Sequence, residues 1–186
     1  MNDNIIKTTR PFGPSIANAK MPDDLVEKLN KYIDDIINDE EKSKKQDWGK
    51  QLVGHVKQEF RLENEFTQSS GFMDFLAQSV GKWIKVSENK QITNFKIIDT
   101  WVVRQFKNEY NPVHWHSGHI SGAGFLKLPK SFGNFTQKKQ NKNYCGGHLE
   151  LIHGSRMFLS SSKFEIIPQV GDFYFFPNYL MHTVYP

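Results

Sequence analysis

Apolar residues recur at helical spacing in two segments of the first half of the chain. The first segment begins at Pro22, because proline suits the first turn of a helix and the carboxylates of Asp23 and Asp24 oppose the helix dipole. Its apolar stripe consists of Leu25, Leu29, Tyr32, Ile33, Ile36 and Ile37. The charged run DEEKSKKQD at residues 39–47 then breaks the pattern. We predict a helix whose stripe covers a neighbouring element.

The second helical pattern begins at a serine cap, Ser69 or Ser70, and runs to about Val86. Its apolar face carries Phe72, Phe75, Leu76, Val80 and Trp83. Stripes of this kind are more often packed core than cofactor-binding surfaces. We therefore expect both helices to pack against a sheet.

From Ile92 onward the pattern changes to short segments that are rich in β-branched and aromatic residues and separated by Gly, Pro and Asn. These segments are NFKIIDTWVVRQF, HISGAGFLKLP, GGHLELIHG, KFEIIPQ and DFYFFP. No helical pattern separates them, which favours an antiparallel sandwich or barrel over parallel βαβ units. The sequence predicts a mainly β fold with N-terminal helices, of the α+β class. We expect a single domain over 1–186, with a helical support region at 1–92 and a β core at 93–186.

Length and cysteine content limit the class of protein. A chain of 186 residues suits one domain with a core of its own. Its single cysteine, Cys145, excludes an internal disulfide and fits a reducing compartment. The N-terminal residues contain no apolar run of a signal peptide, and no stretch of about 18 apolar residues occurs. We expect a cytoplasmic protein that has no membrane partner.

The net charge of +4 comes from 24 basic and 20 acidic residues, which is a mild excess. A nucleic-acid binder usually concentrates Lys and Arg with aromatic residues on one face. Here the basic residues cluster only at Lys130, Lys138, Lys139 and Lys142. We therefore do not expect a nucleic-acid partner. The absence of a Gly-rich phosphate loop after a strand also argues against nucleotide-binding folds.

The placement of the histidines is the most informative chemical feature. His114, His116 and His119 lie within HWHSGH, and His182 lies near the end of the sequence. Residues two apart on a strand point to the same face, so His114 and His116 are expected to present two metal ligands. With His182 they would form a facial set that leaves coordination positions open, as in non-haem iron enzymes. His119 is one residue off this alternation, and we expect it to have a supporting or surface role.

A second pair, His148 and Glu150 in GGHLEL, has the spacing of a histidine and carboxylate clamp. Alternation argues against it, because Leu149 and Leu151 are expected to face the core and to turn the pair outward. A serine or cysteine hydrolase is also disfavoured. The sequence contains no Gly-x-Ser-x-Gly motif, and Cys145 beside two glycines is expected to be a turn residue.

The chain resembles Fe(II)- and 2-oxoglutarate-dependent oxygenases of marine bacteria and their phages, which are similar to prolyl hydroxylases. The matching blocks run in order over residues 101–186: WVVRQFKNEYNPVHWHSGHISGAGFLKLP, GGHLEL and IIPQVGDFYFFPNYLMHTVYP. The segment PFGPSIANAKMPDDLVEKLN also resembles the N-terminal helical segment of that family. The resemblance implies a double-stranded β-helix, which is a cupin-like jelly roll with helices packed on one sheet. It also implies a dioxygenase that couples oxidative decarboxylation of 2-oxoglutarate to succinate with hydroxylation of a peptidyl or small-molecule substrate by O2.

The resemblance assigns His114 as the first metal ligand, His116 as the group at the position usually held by Asp or Glu, and His182 as the distal ligand. In the family, a basic residue on a strand beyond the distal histidine pairs with the far carboxylate of 2-oxoglutarate. Here four residues follow His182. We expect either that the β core lacks its last strand or that other residues anchor the co-substrate. The candidates are Arg104, Gln105 and Lys127, with Val184 as an apolar wall.

The segment KSFGNFTQKKQNKNY at 130–144 is too long for a tight hairpin. A solvated insert is the favoured interpretation, and the functional alternative is a lid in which Lys138, Lys139 and Lys142 recruit an acidic substrate. Two other functions stay open for the whole chain. One is a cupin-like three-histidine dioxygenase that does not use 2-oxoglutarate, and the other is a binding module without catalysis.

Overall fold

The structure is a computed structural model that describes residues 6–9, 13–132 and 146–186. The helices are α1 (Asp23–Ile37), α2 (Glu40–Gln46), α3 (Asn64–Ser69) and α4 (Phe72–Glu88), with a 3₁₀ turn at Gly49–Gln51. The strands are β1 (Ile6–Thr9), β2 (Ile16–Lys20), β3 (Gln58–Arg61), β4 (Trp101–Arg104), β5 (Asn111–His114), β6 (Ile120–Gly124), β7 (Leu149–Ile152), β8 (Lys163–Ile166), β9 (Asp172–Pro177) and β10 (Met181–Val184).

The strands form two four-stranded sheets and one two-stranded sheet. The first sheet has the order β1-β2-β9-β6, the second has the order β5-β10-β7-β8, and β3 pairs with β4. Every pairing is antiparallel. The predicted α+β class with antiparallel strands is therefore confirmed, and the jelly-roll topology stays a prediction.

Strand β9 shows how the first sheet is buried on both faces. Phe173 and Phe175 belong to the apolar cluster that includes the helical stripes of α1 and α4. Phe176, on the opposite face of the strand, belongs to a second cluster that includes Leu149 and Leu151 of the second sheet. Because both faces are covered, the strand reads as a nearly continuous aromatic run, DFYFFP. The molecule therefore has a helix layer on one side of the first sheet and the second sheet on the other.

The two predicted helices are confirmed, and their stripes pack against a sheet as expected. In α4, Phe75 packs edge-on against Phe173, with ring centroids 5.8 Å apart. Trp83 is buried in the same cluster, and its indole Nε1 donates a hydrogen bond of 2.8 Å to Ser15 Oγ. The cap of α4 differs in detail from the prediction. Gly71 occupies the cap position at a φ of 88°, and Ser70 Oγ accepts from the amide of Phe72.

The prediction of a helical first half is incomplete, because that half also supplies three strands, β1, β2 and β3. Strand β2 lies inside the first sheet between β1 and β9. Its alanines, Ala17 and Ala19, face the helices, and small residues with low strand propensity gave no strand signal. The charged run also forms a helix of its own, α2. Asp39 caps it by accepting from the amides of Glu41 and Lys42.

Two glycines of β6 allow the ring of Phe173 to lie against the backbone of that strand. A Cβ at Gly122 would lie 2.5 Å from the Phe173 ring, and a Cβ at Gly124 would lie 2.4 Å from it. Both distances are far shorter than ordinary van der Waals contact, so any larger residue would displace the ring. The glycines therefore permit the close packing at the β6 edge of the first sheet.

In the described part of the chain, no helix combines the length and the apolar character needed to cross a membrane.

Candidate metal centre

Three imidazoles converge where the second sheet meets the loop after β5. The possible ligand atoms of His114, His116 and His182 all lie within 4.8 Å of one another. The ring centroids of His114 and His182 are 4.2 Å apart, and those of His116 and His182 are 4.8 Å apart. Among the described residues, these three histidines are the group of three or more His, Cys, Asp or Glu side chains that is compact enough to hold a metal ion.

Strand register brings His114 and His182 together. His182 on β10 lies directly opposite His114 on β5, so the two side chains share one face of the second sheet. The pairing is irregular one step further on, between His182 and Val184. His116 lies beyond the end of β5 at His114, so its convergence comes from the loop and not from the strand alternation that the sequence suggested. The pair was correctly predicted to face one point, for a reason that is only partly correct.

Backbone carbonyls orient two of the three rings. His114 Nδ1 lies 2.7 Å from the carbonyl oxygen of Pro112, and His182 Nδ1 lies 3.1 Å from that of Leu180. A carbonyl only accepts, so each Nδ1 carries the proton and each Nε2 keeps its lone pair. Metal-binding histidines are commonly fixed in this way. Nε2 is therefore the atom that His114 and His182 would offer to a metal.

His116 is positioned by contacts from two distant segments. The side-chain amide of Asn178 donates a hydrogen bond of 3.1 Å to the backbone carbonyl of His116. The backbone N–H of Asn178 donates a separate hydrogen bond of 3.2 Å to the carbonyl oxygen of His119. The ring of His116 packs edge-on against Trp101 on β4, with centroids 5.2 Å apart. The turn between β9 and β10 and the strand β4 thus hold the loop that carries His116.

The environment keeps the imidazoles of His116 and His182 neutral. Burial, helped by the nearby His114, lowers the pKa of His116 to about 4. Burial also lowers the pKa of His182 to about 3, with a further lowering by His114 and His116 that the carbonyl of Leu180 partly opposes. His182 is 5% exposed and packs against Phe176 of the second apolar cluster. Neutral imidazoles are the form that binds a metal, so the site is prepared for binding at neutral pH.

The spacing of the nitrogen atoms fits a transition metal. Nε2 of His116 and Nε2 of His182 lie 3.0 Å apart. Two nitrogen ligands at about 2.1 Å from one ion and at right angles to each other are about 3.0 Å apart. Imidazole ligands suit iron, copper, nickel and zinc, whereas magnesium and calcium prefer oxygen. The donor set and its spacing therefore fit Fe(II) as one member of the imidazole-binding group.

The rival pair faces away from this centre. Leu149 and Leu151 are buried in the second apolar cluster, as the alternation predicted. His148 Nδ1 lies 2.6 Å from Glu165 Oε1, and Glu150 Oε1 accepts from Lys163 Nζ at 2.7 Å. Both side chains are thus engaged with β8, the neighbouring strand of the second sheet.

Two of the predicted co-substrate anchors, Arg104 and Gln105, make contacts with groups other than the three histidines. Arg104 donates a hydrogen bond to the side chain of Gln58 and stacks over Phe106. Gln105 Nε2 donates to the backbone carbonyls of Glu109 and Tyr185, at 2.8 Å and 3.0 Å. These two residues belong to the β4 side of the molecule. Their assignment as anchors stays a prediction.

Lys127 and Val184 occupy different environments. Lys127 Nζ pairs with the carboxylate of Asp34 on α1, at 2.9 Å and 3.0 Å from its oxygens. Val184 is partly buried against the second apolar cluster, two residues after His182 on β10. The apolar wall predicted for Val184 is consistent with that packing. The lid residues Lys138, Lys139 and Lys142, and also Cys145, lie outside the described residues.

Asn178 and Trp101 are the contributors to the site that sequence reasoning missed. Asn178 lies 62 positions from His116, and the Pro177-Asn178 dipeptide indicates only a turn. Trp101 begins β4, and in the sequence it has the pattern of an ordinary strand residue. Neither contact has a signal in sequence spacing, because each depends on segments that meet only in the folded chain.

Comparison with known proteins identifies one family. Residues 99–186 match the model of the family described as "Putative 2OG-Fe(II) oxygenase". The matched range contains His114, His116 and His182, together with strands β4 to β10 from Trp101 onward. The resemblance to this family is thereby confirmed for that part of the chain. No curated protein gives a significant match to the sequence.

Proposed function

We propose, from the premise that residues 99–186 are a 2OG-Fe(II) oxygenase domain, that this chain is an Fe(II)- and 2-oxoglutarate-dependent dioxygenase. Its most specific form in our proposal is a hydroxylase that acts on a peptidyl or small-molecule substrate. The observation that carries the proposal is the convergence of three imidazoles within the matched range. The two four-stranded sheets are proposed to be the double-stranded β-helix of the family.

His114, His116 and His182 would hold the iron through nitrogen, and open coordination positions would remain for the co-substrate and O2. When bound, Fe(II) supplies the chemistry that couples oxidative decarboxylation of 2-oxoglutarate to oxidation of the substrate by O2. The protein supplies orientation, because the carbonyls of Pro112 and Leu180 fix two of the rings. Asn178 holds the backbone of the third.

The charge of the ligand set supports an anionic co-substrate. Three imidazoles are neutral ligands, whereas a set of two histidines and a carboxylate carries one negative charge. A divalent ion held by His114, His116 and His182 therefore keeps its full positive charge. A keto acid that chelates through a carboxylate would neutralise part of that charge. This favours 2-oxoglutarate or a similar anion over a neutral chelator.

The surroundings of the histidines give the site a closed side and an open side. His182 is buried against Phe176 beside Leu180, which is fully buried, so water is excluded there. His114 and His116 are only partly buried, and Trp115 between them is 64% exposed. A substrate would therefore approach from the side of the loop after β5. An exposed aromatic residue at that position offers apolar contact area.

A cupin-like three-histidine dioxygenase is the second candidate function. The observation that favours it is the presence of His116 at the position where the resemblance implies a carboxylate. In that case iron would bind with similar strength, and 2-oxoglutarate would not be required. Dependence on the keto acid distinguishes the two enzymes, and metal binding distinguishes both from a module without catalysis.

The test is an anaerobic titration of the purified chain, first with Fe(II) and then with 2-oxoglutarate. We expect a weak visible absorption band that appears when the keto acid chelates the bound iron. His182→Ala is the matched negative variant and is expected to lose the band, whereas His148→Ala should keep it. Bound iron with no band at saturating 2-oxoglutarate would contradict the proposal and favour the three-histidine alternative.

A further inference from the structure

The carboxylate of Glu59, on β3, is buried and has no hydrogen-bond partner among the described residues. The residue is 2% exposed, and neither Oε1 nor Oε2 has a hydrogen-bond partner among the described residues. Its backbone is well satisfied, since its carbonyl accepts from the amide of Trp48 at 2.8 Å. An ionised carboxylate in such a position costs several kcal/mol unless it is paired or bound to a cation. The side chain therefore requires an explanation.

Oxygen atoms of Asn111 and Asp47 lie near this carboxylate, on the sides of two glycines. Glu59 Oε1 and Asn111 Oδ1 both face Gly54, since a Cβ there would lie 2.9 Å from the first and 2.5 Å from the second. Glu59 Oε2 and Asp47 Oδ1 similarly face Gly49, at 3.5 Å and 3.4 Å from the corresponding position. The carboxylate thus lies between an amide oxygen on one side and a second carboxylate on the other.

The electrostatics of the cluster agree with this geometry. Burial, and then the negative charges of Asp47 and Glu109, raise the pKa of Glu59 to about 6. In the described part of the chain, none of these three carboxylates makes an ion pair with Lys or Arg. Gly54 and Glu109 also line a surface cleft of about 440 Å³ beside the cluster, whose lining includes Lys57 and Lys107 as well.

We propose that Glu59, Asn111 and Asp47 form a second metal site, which binds a hard divalent cation of the calcium type. Carboxylate and amide oxygens are the ligands that calcium prefers, and calcium tolerates irregular geometry. The site is separate in chemistry from the histidine centre, which offers nitrogen. A cation there compensates the buried charge of Glu59 that no described residue balances.

The present arrangement limits which groups bind directly. Glu59 Oε1 and Asn111 Oδ1 face the same glycine, Gly54, whereas Asp47 Oδ1 lies near Gly49 and accepts from the Gly49 amide at 3.0 Å. Glu59 and Asn111 are therefore the inner ligands, and Asp47, whose side chain is exposed, would complete the site from the Gly49 side. Glu109 Oε2 already accepts from the amide of Phe106, so Glu109 contributes charge at longer range.

The location gives the cation a structural role. Asn111 begins β5, the strand that ends at His114, and its carbonyl accepts from Thr183 Oγ1 on β10 at 2.7 Å. A cation bound by Glu59 and Asn111 would fasten β3 to the beginning of β5. It would thereby stabilise the strand pair that carries His114 and His182.

The competing explanation is a protonated Glu59, which would donate a hydrogen bond to Asn111 Oδ1 and bind no cation. Glu59→Gln distinguishes the two, because glutamine mimics the protonated acid in shape and charge. If Glu59 is protonated, the variant keeps the stability of the parent and calcium affects neither protein. If the site binds a cation, calcium stabilises the parent and not the variant.

The experiment is a terbium titration of the full chain with excitation of tryptophan, because Trp48 lies beside Asp47 and is placed to sensitise bound Tb³⁺. We expect saturable luminescence that Ca²⁺ displaces at lower concentration than Mg²⁺. Glu59→Gln should weaken Tb³⁺ binding by about tenfold or more. The matched control is Glu63→Gln, an exposed glutamate that pairs with Lys45 and should leave the luminescence unchanged.

A second measurement guards against a folding defect in the variant. The thermal midpoint of the parent should rise with millimolar Ca²⁺, that of Glu59→Gln should not, and both proteins should share one circular dichroism spectrum. His182→Ala should keep the terbium signal, which would assign it away from the histidine centre. Equal luminescence from the parent and Glu59→Gln, or no effect of Ca²⁺ on the parent, would overturn the proposal. Neither readout depends on iron or 2-oxoglutarate.

Discussion

His116 and His182 place their Nε2 atoms 3.0 Å apart, although 66 positions separate them in the chain. One residue lies in the loop after β5 and the other lies on β10, opposite His114. Since Nδ1 of His182 faces the carbonyl of Leu180, its Nε2 is the unprotonated atom and points at His116. Folding therefore brings the lone pair of His182 Nε2 close to a ring nitrogen of His116.

Replacing His116 by Ala should abolish tight metal binding. Removal of one of three imidazoles leaves two ligands. The loss in metal affinity should therefore exceed the loss of roughly 10- to 100-fold that follows when a residue supporting a ligand is replaced. Isothermal titration with Co(II), which takes similar nitrogen ligands, measures the affinity. The matched control is His148→Ala, which removes an imidazole that contacts Glu165 and should leave Co(II) binding unchanged. The reverse pattern would assign the metal to His148 and Glu150.

Replacing Asn178 by Ala should weaken metal binding without unfolding the chain. The substitution removes the side-chain hydrogen bond to the carbonyl of His116 and frees the loop that carries this ligand. We expect a loss of about 10- to 100-fold in Co(II) affinity, as is usual for groups that orient a ligand. Tyr179→Ala changes the exposed neighbour in the same turn and serves as the control. Equal affinities for the two variants would show that Asn178 does not position His116.

The metal-free chain should lose stability as the pH falls below about 6.5. Unfolded histidine has a pKa of about 6.5, whereas the pKa values of folded His116 and His182 are lowered to about 4 and about 3. Between these values the unfolded chain binds more protons than the folded chain. The contribution of the two residues is therefore complete above pH 6.5 and is lost as the pH falls toward 4 and 3.

Glu59 acts in the opposite direction in part of this range. Its pKa is raised from its ordinary value of 4.5 to about 6, so its contribution is largest below pH 4.5 and is lost as the pH rises through 6. Urea unfolding at pH 7.5 and 5.0 is therefore best compared in Glu59→Gln, with and without His182→Leu. The decrease in the free energy of unfolding from pH 7.5 to pH 5.0 should be smaller in the double variant. An unchanged pH dependence would exclude His182 as its source.

Replacing Ser15 by Ala should destabilise the fold by about 1–3 kcal/mol, because it leaves the indole N–H of Trp83 buried without a partner. Ser15 and Trp83 are both buried, and their hydrogen bond joins the segment before β2 to α4. Urea unfolding measures the change in the free energy of unfolding. Ser69→Ala, at an exposed serine on α3, should change it by much less. Equal changes would mean that water or another group replaces the Ser15 oxygen.

The sequence was sufficient for the elements whose signal is local. The stripe from Leu25 to Ile37 predicted α1, and the aromatic run from Asp172 to Pro177 predicted β9. Both work because side-chain periodicity follows directly from backbone geometry. Strand β2 was missed because Ala17 and Ala19 have low strand propensity. They pack closely against the helices, and that packing cannot be inferred from alternation or propensity. Helix α2 was missed because it has no apolar stripe, and the cap at Asp39 is its main local signal.

For the candidate site, the sequence by itself was sufficient to predict the three histidines that the structure brings together. The His-x-His pair and the isolated His182 were recognisable by residue type and spacing. Only the tertiary structure decided how they meet: the register of β5 and β10 aligns His114 with His182, and the loop turns His116 inward. Asn178 and Glu59 gained their importance in the same way. Residue type and short spacing are local properties, whereas contacts across long separations depend on strand register and burial, which arise only when the whole chain packs.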